Sequence, residues 1–294
     1  MKTLIIEPKY NNKNLITYLT NIFPDLKTSS IYKALRKKDI RLNGKRISQN
    51  VTLQSGDKID VYIVDSELYG VNLLDIKTVY EDENIVVFNK PINLEVVGDF
   101  SLTSIKKNDY KFLEPCHRID RNTIGLVLFA KNQESLDILL DKFKNKEIEK
   151  HYICLCYGIP LRKSDNMESY LFKDSKKSIV YISDEFKKGY SKILTSYQVI
   201  DTNKSKKLSL LNVTLHTGKT HQIRAHLAHI GLPILGDGKY GSYEINKKFG
   251  VHSQLLCSYS LKFNFSNDSK SLDYLNGKEI RLKELPFTQY LLNY

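Results

Sequence analysis

Ten residues, Cys116-His117-Arg118-Ile119-Asp120-Arg121-Asn122-Thr123-Ile124-Gly125, constrain this chain more than any other stretch. They set one carboxylate between two guanidiniums directly before the apolar run Leu126-Val127-Leu128-Phe129-Ala130. An unbroken apolar run of that length reads as a buried strand, so a charged loop is placed at the lip of a sheet. An Asp near fixed cations is held ionised even when a closing ligand removes its water. Taken alone, an Asp flanked by Arg is more often a turn or salt-bridge residue than a catalytic one.

The rest of the second half alternates strand and helix signals. Ile85-Val86-Val87-Phe88 is a second buried run, ended by Asn89-Lys90-Pro91. Leu136, Leu139, Leu140 and Phe143 recur at three and four, which predicts a helix over 133–145. Period two in Lys150–Tyr157 puts Tyr152, Cys154 and Cys156 on one strand face. Further strands are predicted near 193–199 and 208–215. Ile223, Leu227 and Ile230 mark a helix over 220–230 that stops at Gly231, with Arg224 beside its buried stripe.

The front of the chain has a different character. Residues 1–63 hold 12 Lys and Arg against 5 Asp and Glu, a local excess of +7 within a formal net charge of +12 for all 294 residues. Such an excess attracts polyphosphate surfaces, so nucleic acid is the first partner to test. Leu15, Tyr18, Leu19, Ile22 and Phe23 predict one helix, closed by Pro24. Ile31, Ala34 and Leu35 predict a second, capped by Thr28, Ser29 or Ser30 and displaying Arg36, Lys37 and Lys38. Asn43-Gly44 is a hairpin turn between Ile40–Leu42 and Lys45–Ile47, and Lys58–Ile63 reads as a strand. Residues 1–64 are therefore expected to form a small α/β domain, 65–72 a linker, and 73–294 the main domain.

Two other chemistries fail on spacing. Gly218-Lys219-Thr220 resembles the end of a phosphate-binding loop, but position 213, where its first glycine belongs, is Val213. His216, His221, His226 and His229 lack the four-residue pair and third ligand of a zinc site. Four cysteines form no C-x-x-C pair, which suits a reducing cytoplasm, and no apolar run reaches membrane-spanning length.

His117–Gly125, Lys150-His151-Tyr152 and His216-Thr217-Gly218-Lys219-Thr220-His221-Gln222-Ile223-Arg224 together resemble the RluA-type pseudouridine synthases, and the likeness covers nearly the whole chain. His117–Gly125 stands in for the H-R-L-D-R-x-T-x-G pattern and Lys150–Tyr152 for K-x-Y. The resemblance implies an α+β pseudouridine synthase catalytic fold with a central mixed, largely antiparallel sheet. It also implies an Asp120 nucleophile, Tyr152 stacked on the target base with a part in proton transfer, and Arg224 paired with Asp120. Read from the residues alone, Arg224 has two other candidate partners, Glu149 and Asp237.

The front segment, with Arg41-Leu42-Asn43-Gly44 and Gly56-Asp57, is similar to the S-four RNA-binding module. RNA-contacting side chains are accordingly expected at Arg36, Lys37, Lys38, Arg41, Lys45, Arg46, Arg118, Arg121, Lys219, His221 and Gln222. The implied partner is large-subunit ribosomal RNA, with transfer RNA as the alternative, bound by a monomer that needs no metal or other cofactor. A catalytically silent RNA-binding or ribosome-assembly protein is the rival reading. Lys219, Ile124, Cys257 and Asn93 depart from the family pattern, and only 25 residues separate Pro91 from His117.

Overall fold

A computed structural model describes residues 2–292, which fall into two compact units divided between Asp75 and Ile76. The first unit runs β1 (Lys2–Ile5), α1 (Leu15–Ile22), α2 (Thr28–Lys37), β2 (Ile40–Leu42), β3 (Lys45–Ile47), β4 (Lys58–Val61) and α3 (Asp65–Leu68). Its antiparallel sheet has the order β1-β4-β2-β3. Apolar residues three and four apart on α1 (Leu15, Tyr18, Leu19) and on α2 (Ile31, Ala34, Leu35) are buried in one core with Ile40, Ile59 and Val61.

Asn14 caps α1 by accepting from the Thr17 N–H at 2.8 Å. Of the residues expected to cap α2, Thr28 instead opens its first turn, behind Lys27, which gives no side-chain cap. Asn43 and Gly44 both take positive φ (49° and 80°), as a two-residue hairpin turn requires. The segment expected as a linker, 65–72, lies within this unit, and its Leu68 joins the core. Asp65–Leu68 is a helical turn and Leu68 is fully buried, a burial that a four-residue turn cannot announce through periodicity.

The second unit runs β5 (Lys77–Glu81), β6 (Ile85–Lys90), α4 (Leu102–Lys106), β7 (Glu114–Pro115), β8 (Ile124–Ala130), α5 (Gln133–Lys144) and β9 (Ile148–Tyr157). It continues through β10 (Ser164–Asp174), β11 (Ile179–Ser183), β12 (Ser191–Asn203), β13 (Leu208–Leu215), α6 (Gln222–His229), α7 (Tyr243–Lys248), β14 (Leu256–Phe263) and β15 (Glu279–Arg281). One sheet orders these strands β11-β10-β12-β13-β9-β14-β8-β6-β5, with β15 on β14 and β7 on β8. Every named pairing is antiparallel except β14 with β8. The fold is thus α+β on a mixed, largely antiparallel sheet.

Strand periodicity splits the core by face. Tyr152, Cys154 and Cys156 of β9 pack with Ile223 and Leu227 of α6, while Ile153 and Leu155 point to the other side, against Leu208, Leu210 and Val251. On α5, Leu139 covers Leu126, Leu128 and Ile148. The β8–β14 joint requires glycine at 125. Gly125 has φ +107°, and a Cβ there would lie 2.2 Å from the Ser258 carbonyl oxygen. Gly125→Ala is expected to destabilise the second unit by about 3 kcal/mol or more, through strained φ and a backbone clash together. Denaturant unfolding checks this.

Candidate active site

Asp120 lies in the loop between β7 and β8, and three ties fix that loop. The Thr123 N–H donates to the Asp120 carbonyl at 3.0 Å, closing a turn around the carboxylate. The Leu128 N–H donates to His117 Nε2 at 3.1 Å, so an imidazole extends the pairing of β8 beyond the short β7. Burial, then the charge of Lys150, pushes the His117 imidazole down to about 3, so the ring is neutral.

The third tie is Lys90, fully buried at the end of β6, whose Nζ donates to the carbonyls of Pro91 (2.9 Å), Leu94 (2.6 Å) and Arg121 (2.9 Å). Burial pushes its ammonium down to about 7, a shift partly opposed by the Asp120 charge. Arg121 Nε also donates to the Asn93 carbonyl at 3.2 Å. Asn93 has φ 64°, a conformation that Asn tolerates better than most residues.

Arg224 reaches Asp120 from α6. Its Nη1 donates to Asp120 Oδ2 at 2.9 Å, while Nε and Nη2 make a two-pronged contact with Asp237 Oδ2 and Oδ1 at 2.7 and 3.0 Å. Two of the three candidate partners are therefore engaged at once. Glu149 turns instead to His151 (3.1 Å) and Asn264 (2.7 Å). Burial alone would raise the buried Asp237 carboxyl. The Arg224 hydrogen bonds and charge, with the N–H groups of Lys239 and Tyr240, hold it below its ordinary value.

His221, at a left-handed backbone position (φ 53°), leads into α6 and sets its Nε2 3.9 Å from Asp120 Oδ2. Its Nδ1 lies 2.9 Å from the Tyr240 hydroxyl, which accepts from the Val180 N–H and so has its own proton to give to Nδ1. Nε2 then carries the ring proton and faces Asp120.

Tyr152 is buried on β9, opposite Ser258 of β14, which in turn pairs with Gly125 of β8. This row of three strands brings its ring to the cavity that Asp120 borders. That cavity, about 250 Å³, is lined on its apolar side by Tyr152, Leu215, Ile223 and Leu256 and on its polar side by Asp120, Lys150 and Arg224. Burial and the nearby Asp120 charge raise the Tyr152 phenol well above its ordinary value.

A second opening on Asp120 is lined by Arg118, Arg121 and Lys219; Arg118 and Lys219 are exposed. Gln222 differs from the expectation of an RNA-contacting side chain. It is buried, its amide oxygen accepts from Thr217 Oγ1 and the Lys219 N–H, and its nitrogen donates to the Leu194 carbonyl and Thr195 Oγ1. Such an amide braces the loop before α6 from within. In the first unit Arg36, Lys37, Lys38, Lys45 and Arg46 are exposed, and Arg41 lies over the Tyr62 ring at 5.1 Å. Among the described residues no cluster of three or more His, Cys, Asp or Glu could hold a metal ion.

Residues 84–229 match the family model for RNA pseudouridylate synthase. An RNA pseudouridine synthase of Mycoplasma capricolum is 31% identical over 95% of this chain and 97% of its own length. The chain belongs to the RluA-type RNA pseudouridine synthase family. The ribosomal large subunit pseudouridine synthase C of Rickettsia felis is 30% identical over 94% of each chain. Human RNA pseudouridylate synthase domain containing 1 shares the fold, with a TM-score of 0.61 at 21% identity over 74% of this chain and 86% of that one. The protein is thus an isomerase acting on RNA.

Several supports of the site carry no recognisable spacing. Lys90 looks like the end of a strand, Tyr240 like one of 19 tyrosines, and Asp237 like a turn residue after Gly236. His226 is another. Fully buried on α6, it pairs through Nδ1 with Thr195 Oγ1 at 3.0 Å, and burial, then His229, pushes it down to about 4 from an ordinary 6.5. In the unfolded chain this ring takes up its proton first. Its contribution to stability is therefore complete above about pH 6.5 and lost as pH falls toward 4. Thermal unfolding measured between pH 7 and 4 should show this decline, and His226→Gln should flatten it while lowering stability at pH 7.

Proposed function

We propose that Asp120 is the nucleophile, that Arg224 orients it, and that the cavity beside it receives one uridine extruded from structured RNA. The observation that carries this reading is the position of Asp120. One carboxylate oxygen is fixed by Arg224 at 2.9 Å, and the group stands at the wall of a cavity with room for a single base. Oδ1 has no hydrogen-bond donor among the described residues and is free to attack.

Attack on the ribose anomeric carbon breaks its bond to N1, and the bond's electron pair passes to the uracil ring. The ring turns within the cavity until C5 faces the sugar. Bond formation from C5 then expels the carboxylate, and the ring loses the C5 proton and gains one at N1, which completes the isomerisation. Tyr152 offers its ring for stacking, and its raised pKa keeps the phenol protonated, which favours stacking over a standing base.

The substrate we propose is large-subunit ribosomal RNA, a reading supported by the names of relatives such as the Rickettsia felis protein. We assign the first unit, 1–75, as an S-four-like clamp on RNA backbone, supported by the exposed cations of α2 and the hairpin turn after Arg41. Within the second unit, Arg118, Arg121 and Lys219 at the cavity mouth are assigned to phosphate contacts of their own. Asp120, Tyr152 and Arg224 all come from one unit of one chain, which supports a monomer. Free cysteines, and the lack among the described residues of any helix long and apolar enough to cross a membrane, support a cytoplasmic site of action.

Asp120→Asn keeps the shape and removes the charge. Pseudouridine formation on large-subunit RNA transcripts should fall by more than about a thousandfold, with RNA affinity changed less than about threefold. Undiminished turnover would refute the nucleophile. Replacing Arg36, Lys37 and Lys38 together by Ala should weaken RNA binding and make the log K against log salt slope shallower by about two, roughly 0.7 to 0.9 for each lost phosphate contact. An unchanged slope would remove the clamp role.

A further inference from the structure

Lys150 precedes Tyr152 by two residues on β9, so both side chains share the sheet face that borders the Asp120 cavity. Its surroundings are unusual for a half-buried ammonium. Among the described residues neither a carboxylate nor a carbonyl accepts a hydrogen bond from Nζ. The Phe143 ring lies 5.5 Å from it, and Gly218 is so close that a Cβ there would sit 3.5 Å from Nζ. His117, also at this wall, adds no acceptor. Its Nε2 is occupied by the Leu128 N–H, so the ring proton is on Nδ1, a buried donor without a partner among the described residues. Burial lowers the Lys150 pKa, as expected for a cation with no acceptor nearby.

Lys150 Nζ is therefore a donor at the cavity wall with no acceptor of its own, a costly arrangement unless a bound group brings one. Uracil has a carbonyl at position 4, where cytosine has an amino group. A donor at this wall fits the first and leaves the second with N–H facing N–H. We propose that Lys150 is a specificity-determining residue, donating to the O4 carbonyl of the extruded uracil and rejecting cytosine. The inference rests on the reading of this cavity as the uridine site. A phosphate oxygen would offer the same acceptor chemistry, but the flanking Leu215, Ile223 and Leu256 would take its charge out of water.

The test uses a short hairpin carrying the uridine that the wild-type enzyme modifies in large-subunit RNA transcripts, and the same hairpin with cytidine at that position. Affinities are compared by competition in the Asp120→Asn protein, where turnover does not interfere. The parent is expected to prefer uridine by at least about tenfold, the scale of one hydrogen bond to a charged group. Lys150→Met should narrow the preference to about threefold or less. Lys150→Gln, whose amide can turn its oxygen toward the cytosine amino group, should narrow it further. A preference unchanged in both variants overturns the assignment. Equal weakening toward both hairpins also overturns it and assigns Lys150 to a phosphate. Pseudouridine formation retained by Asp120→Asn would instead overturn the reading of the cavity itself.

Discussion

The guanidinium of Arg224 is the contact on which the rest of the site depends. A cation this deeply buried is stable only if its N–H groups meet acceptors in good geometry. Asp237 supplies two oxygens to one edge of the fork, and Asp120 takes the remaining nitrogen. Asp237 is itself held by the N–H groups of Lys239 and Tyr240, and its carbonyl accepts from Asn246 Nδ2. Position thus passes from a rigid turn through Arg224 to Asp120. Charge passes differently, since one positive group is shared between two carboxylates and the trio keeps a formal net negative charge. A one-to-one pair would fix Asp120 equally well but cancel more of the charge that an attacking carboxylate needs.

Lys90 solves the complementary problem on the far side of the loop. A lysine touching Asp120 would neutralise it, whereas Lys90 directs its N–H groups to three backbone carbonyls and acts on Asp120 only through space. The loop is pinned at Arg121 and its carboxylate is left uncovered. The cost is an ammonium buried with no counter-charge in contact, tolerable because all three of its protons find oxygens.

Much of this was legible in the residues, for reasons that differ by element. The helices α1, α2, α5 and α6 and the strands β6, β8, β9 and β13 each carry a long one-sided or two-sided apolar pattern, and the structure places them within a few residues of expectation. The ends were less legible, because caps and turns depend on backbone groups; Thr28 lies inside α2 and Leu68 extends the first core. The Asp120–Arg224 contact spans 104 positions. It was readable only because both residues sit in recognisable motifs, and the residues alone left Glu149 and Asp237 open as other partners. Gln222 is hard to read for a related reason: a polar residue beside a basic loop looks like a surface group, whereas its four hydrogen bonds close inward. Lys90 and Tyr240 make their contacts through carbonyls and a hydroxyl, which leave no trace in spacing.

The parallel joint between β8 and β14 explains why these scattered groups meet at one place. In an all-antiparallel sheet, neighbours in sequence are joined by hairpins and their loops alternate between the two ends. Here β14, arriving late in the chain, inserts between β8 and β9 and pairs Ser258 with both Gly125 and Tyr152. That register brings the start of β8, with the Asp120 loop just before it, level with the middle of β9, where Tyr152 lies. The approach is so close that residue 125 can carry no side chain. The glycine five residues after Asp120 is therefore part of the same device as the carboxylate, since it allows the strand that sets the distance between Asp120 and Tyr152.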